Sequence, residues 1–595
     1  MTGRPSVILR ARQWASLPES WLLATLALSV AWKCWNLGHS DLTYWDESFH
    51  AIVARNLLEH PLTFTLYDQP WLEFSFKDWV NAHIWLHKPP LAMWQIAVSY
   101  LLFGVGLISL RLPSVVLSTA SAFLTYRIGC AVFRNKGVGL LAAALQAFNP
   151  FLMGSIHGYY FSDHIDVALI FWIEIGLCGL VRGVQTGRIQ AYLLAGVGLG
   201  AAFLTKMYPA LIVAGVALAL FAWKRTIPRP TSEWRIGPTQ LSVMMITAIV
   251  VVLPWILYES VTHPVEFAHN IREMFGHLTI DVEQWSAPWD RFLFDYLIHQ
   301  VPWLYTMVIV ALGYLTMRSL RGEFGEVLVV LWAWGVLIPF SMAVSKPSSA
   351  ILIALPALFL GLARLLQLAW KRDKSAALTV WAAVATAMLV LPYGESTIIS
   401  RDSLPAELRT GPAPYLVANA FVLRQLGVAA LVAAVLTVAK RWMTAHRWSR
   451  LRTAQLAMAI TVTSALAALY GAAGGDVVFQ PQVAPTFRDL GQTIHAQLPE
   501  NAALILDVTR PGADAVSDGY HLALMFWSNR SVYRLHFQLA DRDLSDVATE
   551  IQAAGGLPLL VSDRSTIAEP ALLDSGRSGF RVYPISVALA PEFNR

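Results

Sequence analysis

Apolar runs of membrane-spanning length alternate with short polar turns along most of this chain. Such runs include 21–37, 112–133, 138–154 and 240–258. Because a helix needs about 20 mostly apolar residues to cross a bilayer, the repetition predicts a polytopic α-helical membrane protein with about thirteen transmembrane helices. Segment 91–107 is short and contains Gly104 and Gly106, so we expect it to lie in the membrane interface.

Residues 475–595 break the pattern, because charge rises and the apolar runs shorten to strand length. Three such runs are Ala503–Val508, Pro558–Val561 and Phe580–Val587, and Thr486–Leu498 has the apolar spacing of a helix. Strands that alternate with helices predict a small C-terminal α/β domain.

Lys and Arg residues between the apolar runs predict the orientation, because cytoplasmic loops carry most of them. A cytoplasmic N-terminus makes residues 1–474 a transmembrane domain of the cell (plasma or inner) membrane, followed by a soluble extracytoplasmic domain over 475–595. Lys206 and Lys346 fall outside and are exceptions to the trend. The long outside loops predicted in this way are 38–111, 155–165, 259–300 and 393–414.

Composition agrees with this topology. The 595 residues are 56% hydrophobic and 14% charged, whereas a soluble domain carries about 25% charge. The net charge of +5 comes from basic clusters between apolar runs, so we exclude nucleic acid as a partner. Cys34, Cys130 and Cys178 have no metal-ligand spacing and predict no disulfide.

The first long polar stretch, residues 38–90, contains the first candidate catalytic residues. Asp46 and Glu47 begin a helical pattern that extends to Leu58, with apolar side chains on one face, which predicts an amphipathic helix on the membrane. His50, a candidate substrate-binding residue, lies one turn from Asp46 on the other face. Helix capping explains Asp46 as well, but adjacent carboxylates at a lipid boundary favour a catalytic role.

A second pair of acids, Asp163 and Asp166, opens the fourth predicted span on the same outside face. Acids are common at helix N-termini, so capping is the alternative. Asp166, however, borders an apolar run, where a carboxylate is costly and usually functional. Two sets of acids on one face suit general-base activation of an acceptor hydroxyl or amine, so both are candidate catalytic residues.

Four cations, Lys88, Arg111, Lys206 and Lys346, are predicted outside and next to helix ends. Contact with lipid headgroups is one explanation. The alternative is that they bind the phosphate or pyrophosphate of a lipid-linked substrate, together with Arg272 from the loop after the seventh span.

Histidines on the same face offer a divalent metal site, which the sequence leaves open. His87, His269 and His277 are the candidate ligands, although their spacing is not diagnostic and no HExxH motif is present. No other cofactor is indicated. The chain also has no P-loop, GxSxG or GxGxxG motif in the right context, so nucleotide-driven and serine-hydrolase functions have no support.

Short motifs between residues 45 and 360 resemble the polytopic glycosyltransferases of the C superfamily (GT-C), in particular the branch that holds protein O-mannosyltransferases and lipid A aminoarabinose transferases. The motifs are Trp45-Asp46-Glu47-Ser48-Phe49-His50, His87-Lys88-Pro89-Pro90-Leu91, Phe103-Gly104, Arg111-Leu112-Pro113-Ser114, Asn149-Pro150, Leu204-Thr205-Lys206 with Pro209, and Ser345-Lys346 with Leu355-Pro356. Each motif is weak alone, and their order along the chain is more specific.

The resemblance implies a polyprenyl-phosphate sugar donor, an extracytoplasmic active site and inversion at the sugar carbon. Asp46 would be the catalytic base beside Glu47, and Lys88 and Lys206 would bind the phosphate with Arg111 and Lys346. Two positions depart from the aminoarabinose branch. His87 stands where an acid is common, and Ala350 where an aromatic residue follows the later lysine.

The function predicted from the sequence is transfer of a sugar from a polyprenyl-phosphate donor to an extracytoplasmic protein, lipid or cell-wall glycan. A polytopic transporter or lipid flippase is the main alternative, but it predicts polar residues at mid-membrane and often two repeated halves, whereas this chain shows no repeat. A scaffold whose C-terminal domain binds a partner is a third interpretation.

Overall fold

A computed structural model describes residues 18–380 and 486–585, apart from 44–45, 159–162, 227–233, 283–284, 302–303, 372, 374, 509–512, 537, 565–566, 568–569 and 575–578. The N-terminal arginines, the predicted loop 393–414 and the last three predicted spans lie outside the described residues. So does the predicted domain boundary at residue 474.

Eighteen α-helices are defined in the described residues. They are α1 (Pro18–Cys34), α2 (Asp46–Asn56), α3 (Pro90–Phe103), α4 (Leu107–Phe133), α5 (Lys136–Ala147), α6 (Pro150–Ile156), α7 (His164–Thr186), α8 (Ile189–Lys206), α9 (Ile212–Thr226), α10 (Pro238–Thr262), α11 (Pro264–Gly276), α12 (Leu297–Gln300), α13 (Tyr305–Ser319), α14 (Phe324–Met342), α15 (Leu355–Trp370), α16 (Thr486–Gln497), α17 (Ala513–Ser528) and α18 (Leu544–Ala553). Short 3-10 helices at Tyr208–Leu211 and Ser348–Ala354 precede α9 and α15, and a π-helix at Phe292–Tyr296 precedes α12.

Seven helical segments in the described residues are long and apolar enough to cross a membrane, or eight if the bent pair α5–α6 is one span. The seven are α4, α7, α8, α9 with its 3-10 turn, α10, α14, and α15 with its 3-10 turn. The chain is therefore a polytopic helical membrane protein. Two further predicted spans are shorter helices, α1 with 17 residues and α13 with 15.

The predicted span at 138–154 is not one straight helix. It is divided between α5 and α6, which meet at a bend of 48°. Asn149 caps α6 by accepting a hydrogen bond from the backbone N–H of Leu152 at 2.9 Å, and Pro150 is its first residue. The break follows from proline, which lacks the N–H needed to continue α5 and fits the first turn of a new helix.

The helices alternate in direction between two ends of the bundle. We call the end that carries residues 38–90 the loop end, and the opposite one the basic end. At the basic end, Arg318 and Arg364 bind the buried Glu326 at 3.0 Å, while Lys136 pairs with Glu19 at the surface. This arrangement keeps most basic helix ends on one side.

Close glycine contacts hold α7 against α8. A Cβ atom added to Gly198 would lie 2.3 Å from the backbone nitrogen of Gly176, and one added to Gly179 would lie 2.6 Å from that of Ala195. Small residues let two membrane helices approach each other closely, so the sequence of α7 and α8 specifies their short separation.

The C-terminal residues form the predicted α/β structure. Its five-stranded sheet has the order β2-β1-β3-β5-β4, with β1 parallel to β2 and β3, and β5 antiparallel to β3 and β4. The strands are β1 (Ala502–Asp507), β2 (Ser531–Arg534), β3 (Leu557–Ser562), β4 (Leu573–Asp574) and β5 (Arg581–Pro584). The apolar runs of the sequence correspond to β1, β3 and β5, whereas β2 and β4 are too short to produce one.

This sheet domain is packed on the loop end and shares a hydrophobic core with residues 38–90. Phe49, Ile52 and Trp85 from the loop belong to the same buried cluster as Leu524 of α17 and Tyr533 of β2. The C-terminal domain therefore lies on the same side of the bundle as the first polar loop.

Candidate active site

The helix α2 carries Asp46 at its first turn. It begins at Asp46, as predicted, and ends at Asn56. The prediction that this helix lies on the membrane is wrong, because both of its faces are buried in protein. The helix packs between α3 and α17. The alternating apolar positions pack into a protein core, since the C-terminal domain covers the side that the sequence assigned to lipid.

Glu47 and Arg111 form a buried bidentate ion pair. Arg111 donates from Nε to Oε1 of Glu47 at 2.7 Å and from Nη2 to Oε2 at 3.0 Å. Its remaining N–H groups bond the carbonyl oxygens of Leu37, Ser40 and Asp41. All five guanidinium hydrogens are thus engaged within the protein, so the pair anchors the start of α2.

Gly158 makes room for this ion pair. Its φ angle is +67°, in the left-handed region that favours glycine, and an added Cβ would lie 2.2 Å from the carboxylate of Glu47. A side chain at position 158 would displace the Glu47 carboxylate from Arg111.

Asp163 both caps a helix and binds a histidine of α2. Its Oδ1 accepts from the backbone N–H of Ile165 at 3.2 Å, and its Oδ2 lies 2.5 Å from Nδ1 of His50. Burial raises the pKa of Asp163, but His50 outweighs that effect and holds it below the ordinary value. The two alternatives for Asp163, capping and a place in the site, are therefore compatible.

Lys206 and Asp166 form the third pair of the site. The ammonium of Lys206, at the end of α8, donates to Oδ1 of Asp166 at 2.6 Å and to the hydroxyl of Ser349 at 3.2 Å. Asp166 lies in the first turn of α7 at the loop end. The pair joins α7, α8 and the segment before α15 at one point.

Asp46 lies where these pairs meet, and it is half-buried. Burial raises its pKa above the ordinary aspartate value, and the positive charge of Lys88 is the largest opposing influence. His50, Asp163 and Lys206 are also close enough to act on its charge. The structure therefore brings together three aspartates, Asp46, Asp163 and Asp166, and two lysines from distant parts of the sequence.

Two neutral histidines border the same pocket. The ring of His87 stacks on Trp79 with centroids 3.9 Å apart. Burial, followed by Lys88 and His277, holds the pKa of His87 well below its ordinary value. Burial, followed by the two nearby lysines, lowers the pKa of His277 to about 4. Both rings are uncharged at neutral pH, and the positive charge of the pocket belongs to Lys88 and Lys206.

The remaining predicted residues have other surroundings. Lys346 is buried, and its ammonium donates to the carbonyl oxygens of Ala343 and Val344, at the end of α14. Arg272 is exposed on α11. His269 lies 3.8 Å from Glu273 on the same helix and contacts the ring of Phe76 edge-on.

His87, His269 and His277 do not form a metal-binding group. Among the described residues, ligand atoms of three residues approach within 4.8 Å of one another only at Glu59, His60 and Asp68. Positive charge beside His87 and His277 also disfavours a bound cation. The predicted histidines do not fit a metal, and no step of the reaction is assigned to one.

An apolar cavity of about 960 Å³ lies between α9, α13 and α14. Tyr208 and Leu278 line it at the loop end, and Trp223 and Leu320 line it near the basic end. Tyr208 is two residues after Lys206 in the chain, and Leu278 directly follows His277. The cavity is an elongated groove whose walls are almost entirely apolar, with cations close to one end.

Comparisons with known proteins agree with this architecture. A sequence model of the dolichyl-phosphate-mannose-protein mannosyltransferase family matches residues 87–258. An undecaprenyl phosphate-alpha-4-amino-4-deoxy-L-arabinose arabinosyl transferase of Pseudomonas aeruginosa is 30% identical over 242 residues, which are 38% of this chain and 41% of that protein. The chain therefore spans less than half the length of this curated relative.

Solved structures extend the likeness to the whole fold. The crystal structure of ArnT from Cupriavidus metallidurans bound to undecaprenyl phosphate superposes with a TM-score of 0.62 at 18% identity, covering 96% of this chain and 99% of that one. The chain has the fold of ArnT. Its residues 87–258 are similar to the dolichyl-phosphate-mannose-protein mannosyltransferase family, and 38% of the chain is similar to the Pseudomonas arabinosyl transferase.

A second solved structure has a similar fold. The archaeal oligosaccharyltransferase AglB from Archaeoglobus fulgidus, in complex with an inhibitory peptide and a dolichol-phosphate, gives a TM-score of 0.52 at 13% identity over 91% of this chain and 69% of that one. The mannosyltransferase family match begins at His87 and includes Lys88, Asp163, Asp166 and Lys206.

Sequence reasoning missed how these residues are paired. Nothing in the spacing of His50 and Asp163, or of Lys206 and Ser349, signals contact, because each pair joins elements separated by more than a hundred residues. It also missed Glu174 in the middle of α7, which is fully buried and accepts hydrogen bonds from Ser121 and Thr125. A lone acid inside an apolar run was the available signal.

Proposed function

We propose that this protein transfers a sugar from a polyprenyl-phosphate donor to a hydroxyl or amine of an extracytoplasmic acceptor, with inversion at the sugar carbon. The observation that carries the proposal is the meeting of Asp46 with Lys88 and Lys206 beside an apolar groove. The names of the relatives support the donor class, because the Pseudomonas protein is named for an undecaprenyl-phosphate sugar and the ArnT structure holds undecaprenyl phosphate.

The chemistry follows from the charges of the site. The acceptor oxygen or nitrogen attacks the anomeric carbon on the face opposite the phosphate, the bond from that carbon to the phosphate oxygen breaks, and polyprenyl phosphate leaves. Lys88 and Lys206 stabilise the phosphate as it gains charge. The Asp46 carboxylate accepts the proton of the acceptor, and its raised pKa makes it a better base than a solvated aspartate.

The groove accounts for the lipid part of the donor. A polyprenyl chain that lies along Tyr208, Val216 and Leu320 would bury its apolar surface while its phosphate stays near Lys206. The groove walls have few polar groups that could bind the hydroxyls of a sugar. The sugar is therefore expected on the Asp46 side of the phosphate.

The basic end supports the proposed orientation. Lys136, Arg188, Lys224 and Arg318 lie at or next to the helix termini of that end, which the excess of cations on cytoplasmic loops assigns to the cytoplasm. The site and the C-terminal domain are then extracytoplasmic. We also propose about thirteen spans in total and a domain boundary near residue 474, which place the additional spans between residues 381 and 474.

The test uses purified full-length protein in liposomes with undecaprenyl-phosphate-linked aminoarabinose or mannose. We expect release of undecaprenyl phosphate and transfer of the sugar, and a loss of about a thousandfold or more for Asp46→Asn. Glu73→Gln, which changes an exposed carboxylate of the same loop, should retain wild-type rates. Full activity of Asp46→Asn would reject the assignment of the base. Movement of the lipid across the bilayer without sugar transfer would instead identify a flippase.

A further inference from the structure

The C-terminal domain contacts α2 at the end of the helix opposite Asp46. Arg55, in the last turn of α2, donates from Nη1 to the carbonyl oxygens of Met525 and Phe526 at 3.1 and 2.8 Å. The same guanidinium bonds the side chain of Asn56 and lies 5.9 Å from the centre of the Phe526 ring. A cation at the last carbonyl groups of α17 is well placed, because these groups lack partners within their own helix.

The domain also grips the segment that leads into the helix. The carboxylate of Asp41 is buried, and its Oδ1 accepts from the indole Nε1–H of Trp527 at 3.1 Å and from Arg488 at 3.4 Å. The backbone N–H of Leu42 binds the same oxygen at 2.9 Å. Trp527 and Arg488 belong to α17 and α16, so both anchors of α2 come from the C-terminal domain.

A third set of contacts fixes the rest of the loop to the sheet. Tyr67 donates its hydroxyl to the carbonyl of Val532 at 2.8 Å, and Ser531 donates to the carbonyl of Gln69 at 2.6 Å. The hydroxyl of Tyr533 accepts from the backbone N–H of Trp71 at 2.9 Å. These bonds join the edge of the sheet at β2 to residues 67–71.

From this arrangement we infer that the C-terminal domain is a positioning element of the active site, and that Trp527 and Arg55 are positioning residues for Asp46. Asp41 precedes α2 and Arg55 lies in its last turn, so the two residues flank Asp46 in the chain. Residues of α17 bond both of them. The Glu47–Arg111 pair orients the same helix from the membrane side. Because α17 contacts the chain both before α2, at Asp41, and at the end of α2, at Arg55, these contacts restrict the tilt and the axial shift of α2.

The described residues of the domain face that meets the loop are buried against it. Residues of α17 and β2 share the buried cluster with Phe49 and Trp85, so this face is interior. The physical consequence concerns rate, because a displacement of about 1 Å of a catalytic group can cost about a hundredfold. This inference rests on the proposed function for its effect on catalysis, and on the contacts alone for its effect on α2.

The test changes one hydrogen bond. Trp527→Phe keeps an aromatic ring beside Arg488 and removes the donor to Asp41. We expect kcat with the undecaprenyl-phosphate sugar that the wild type consumes to fall about tenfold, and the KM for that donor to stay within about twofold. Trp94→Phe is the matched control, because its indole N–H binds the carbonyl of Pro61 outside the contact with α17. It should leave kcat unchanged.

Hydrogen–deuterium exchange gives a readout that does not depend on transfer. Trp527→Phe should raise deuterium uptake in peptides covering 41–56 and leave uptake in α7 and α8 unchanged. Arg55→Lys, which keeps the charge but loses the two-pronged contact, should do the same with a smaller change than Arg55→Met. Unchanged deuterium uptake in 41–56 for these variants would show that the contacts of Asp41 and Arg55 with α17 do not hold α2 in place.

The outcomes separate the two proposals. Raised deuterium uptake in 41–56 with unchanged kcat overturns the positioning role, although it shows that the contacts with α17 hold α2 in place. If the wild type transfers no sugar from any undecaprenyl-phosphate donor, the proposed function fails, and the exchange experiment still decides whether the C-terminal domain holds α2. Asp41→Asn combined with Trp527→Phe should add little to either single change, because the two side chains act in one contact.

Discussion

At the scale of single residues, the site is built from acids and cations that neutralise one another only in part. Lys206 has Asp166, and His50 has Asp163. Asp46 is surrounded by these pairs without a carboxylate–lysine contact of comparable length among the described bonds. Asp46 interacts with the charges of Lys88 and Lys206 without a direct bond to either lysine among the described bonds. Its carboxylate therefore remains available as a base.

This arrangement predicts a pH dependence. Transfer should increase with pH as the Asp46 carboxyl loses its proton, because only the carboxylate accepts the proton of the acceptor. Burial raises the pKa of Asp46, so the acid limb of kcat/KM should lie above the ordinary aspartate value of about 3.9. Lys88→Gln removes the largest opposing charge and should move the limb to still higher pH.

Rate profiles over the range from about pH 4 to about pH 9 provide the measurement. Lys77→Gln, at an exposed lysine of the same loop, is the control and should leave the limb in place. A limb that stays at the same pH in Lys88→Gln would show that Lys88 does not act on the base.

At the scale of elements, the separation of α7 and α8 sets the distance between Asp166 and Lys206. Gly198→Ala places a methyl group 2.3 Å from the backbone nitrogen of Gly176, which cannot move as a flexible side chain can. We expect a destabilisation of about 1–3 kcal/mol and a severalfold higher KM for the lipid donor, because the helices must part at their crossing.

Thermal unfolding in detergent and donor titration check this prediction together. Gly313→Ala is the matched control, since nothing lies within 4 Å of the added methyl group in α13. Equal melting temperatures for Gly198→Ala and the wild type would show that the crossing tolerates a wider separation.

The elements also show what could be predicted from the sequence. Long apolar helices such as α7 were predictable because burial in a bilayer imposes both length and composition on them. The sequence made Asp46, Lys88 and Lys206 candidates because charge at the border of an apolar run is costly and therefore informative. The partner of each charge was not predictable, since His50 and Asp163 meet only through the packing of distant helices. The cover over α2 was missed for a similar reason, because an amphipathic pattern does not reveal whether lipid or protein receives the apolar face.

At the scale of the whole molecule, the groove runs from Tyr208 and Leu278 at the loop end to Trp223 and Leu320 near the basic end. Gly215 lines this groove and has open space around it, so Gly215→Trp should fill the channel without displacing its neighbours. We expect the KM for an undecaprenyl-phosphate sugar to rise about tenfold, since the long chain loses its binding surface. The KM for a donor with a short prenyl chain should change much less.

Kinetics with the two donors, measured in the same detergent, separate an effect on the chain from an effect on the site. Equal losses for the long and the short donor would place the lipid elsewhere. An unchanged KM for both donors would also exclude the groove.

The shared core of α2 and the sheet has a consequence for biogenesis. The two halves of that core are encoded more than 400 residues apart, at Phe49 and at Leu524 for example. During synthesis the first polar loop emerges early, yet its apolar side chains stay uncovered until the helix and strand that contain Leu524 and Tyr533 have been made. The proposed site around Asp46 is therefore completed only after the sheet has been made, and a nascent chain that stalls in the membrane region carries Asp46 on a helix that lacks this support.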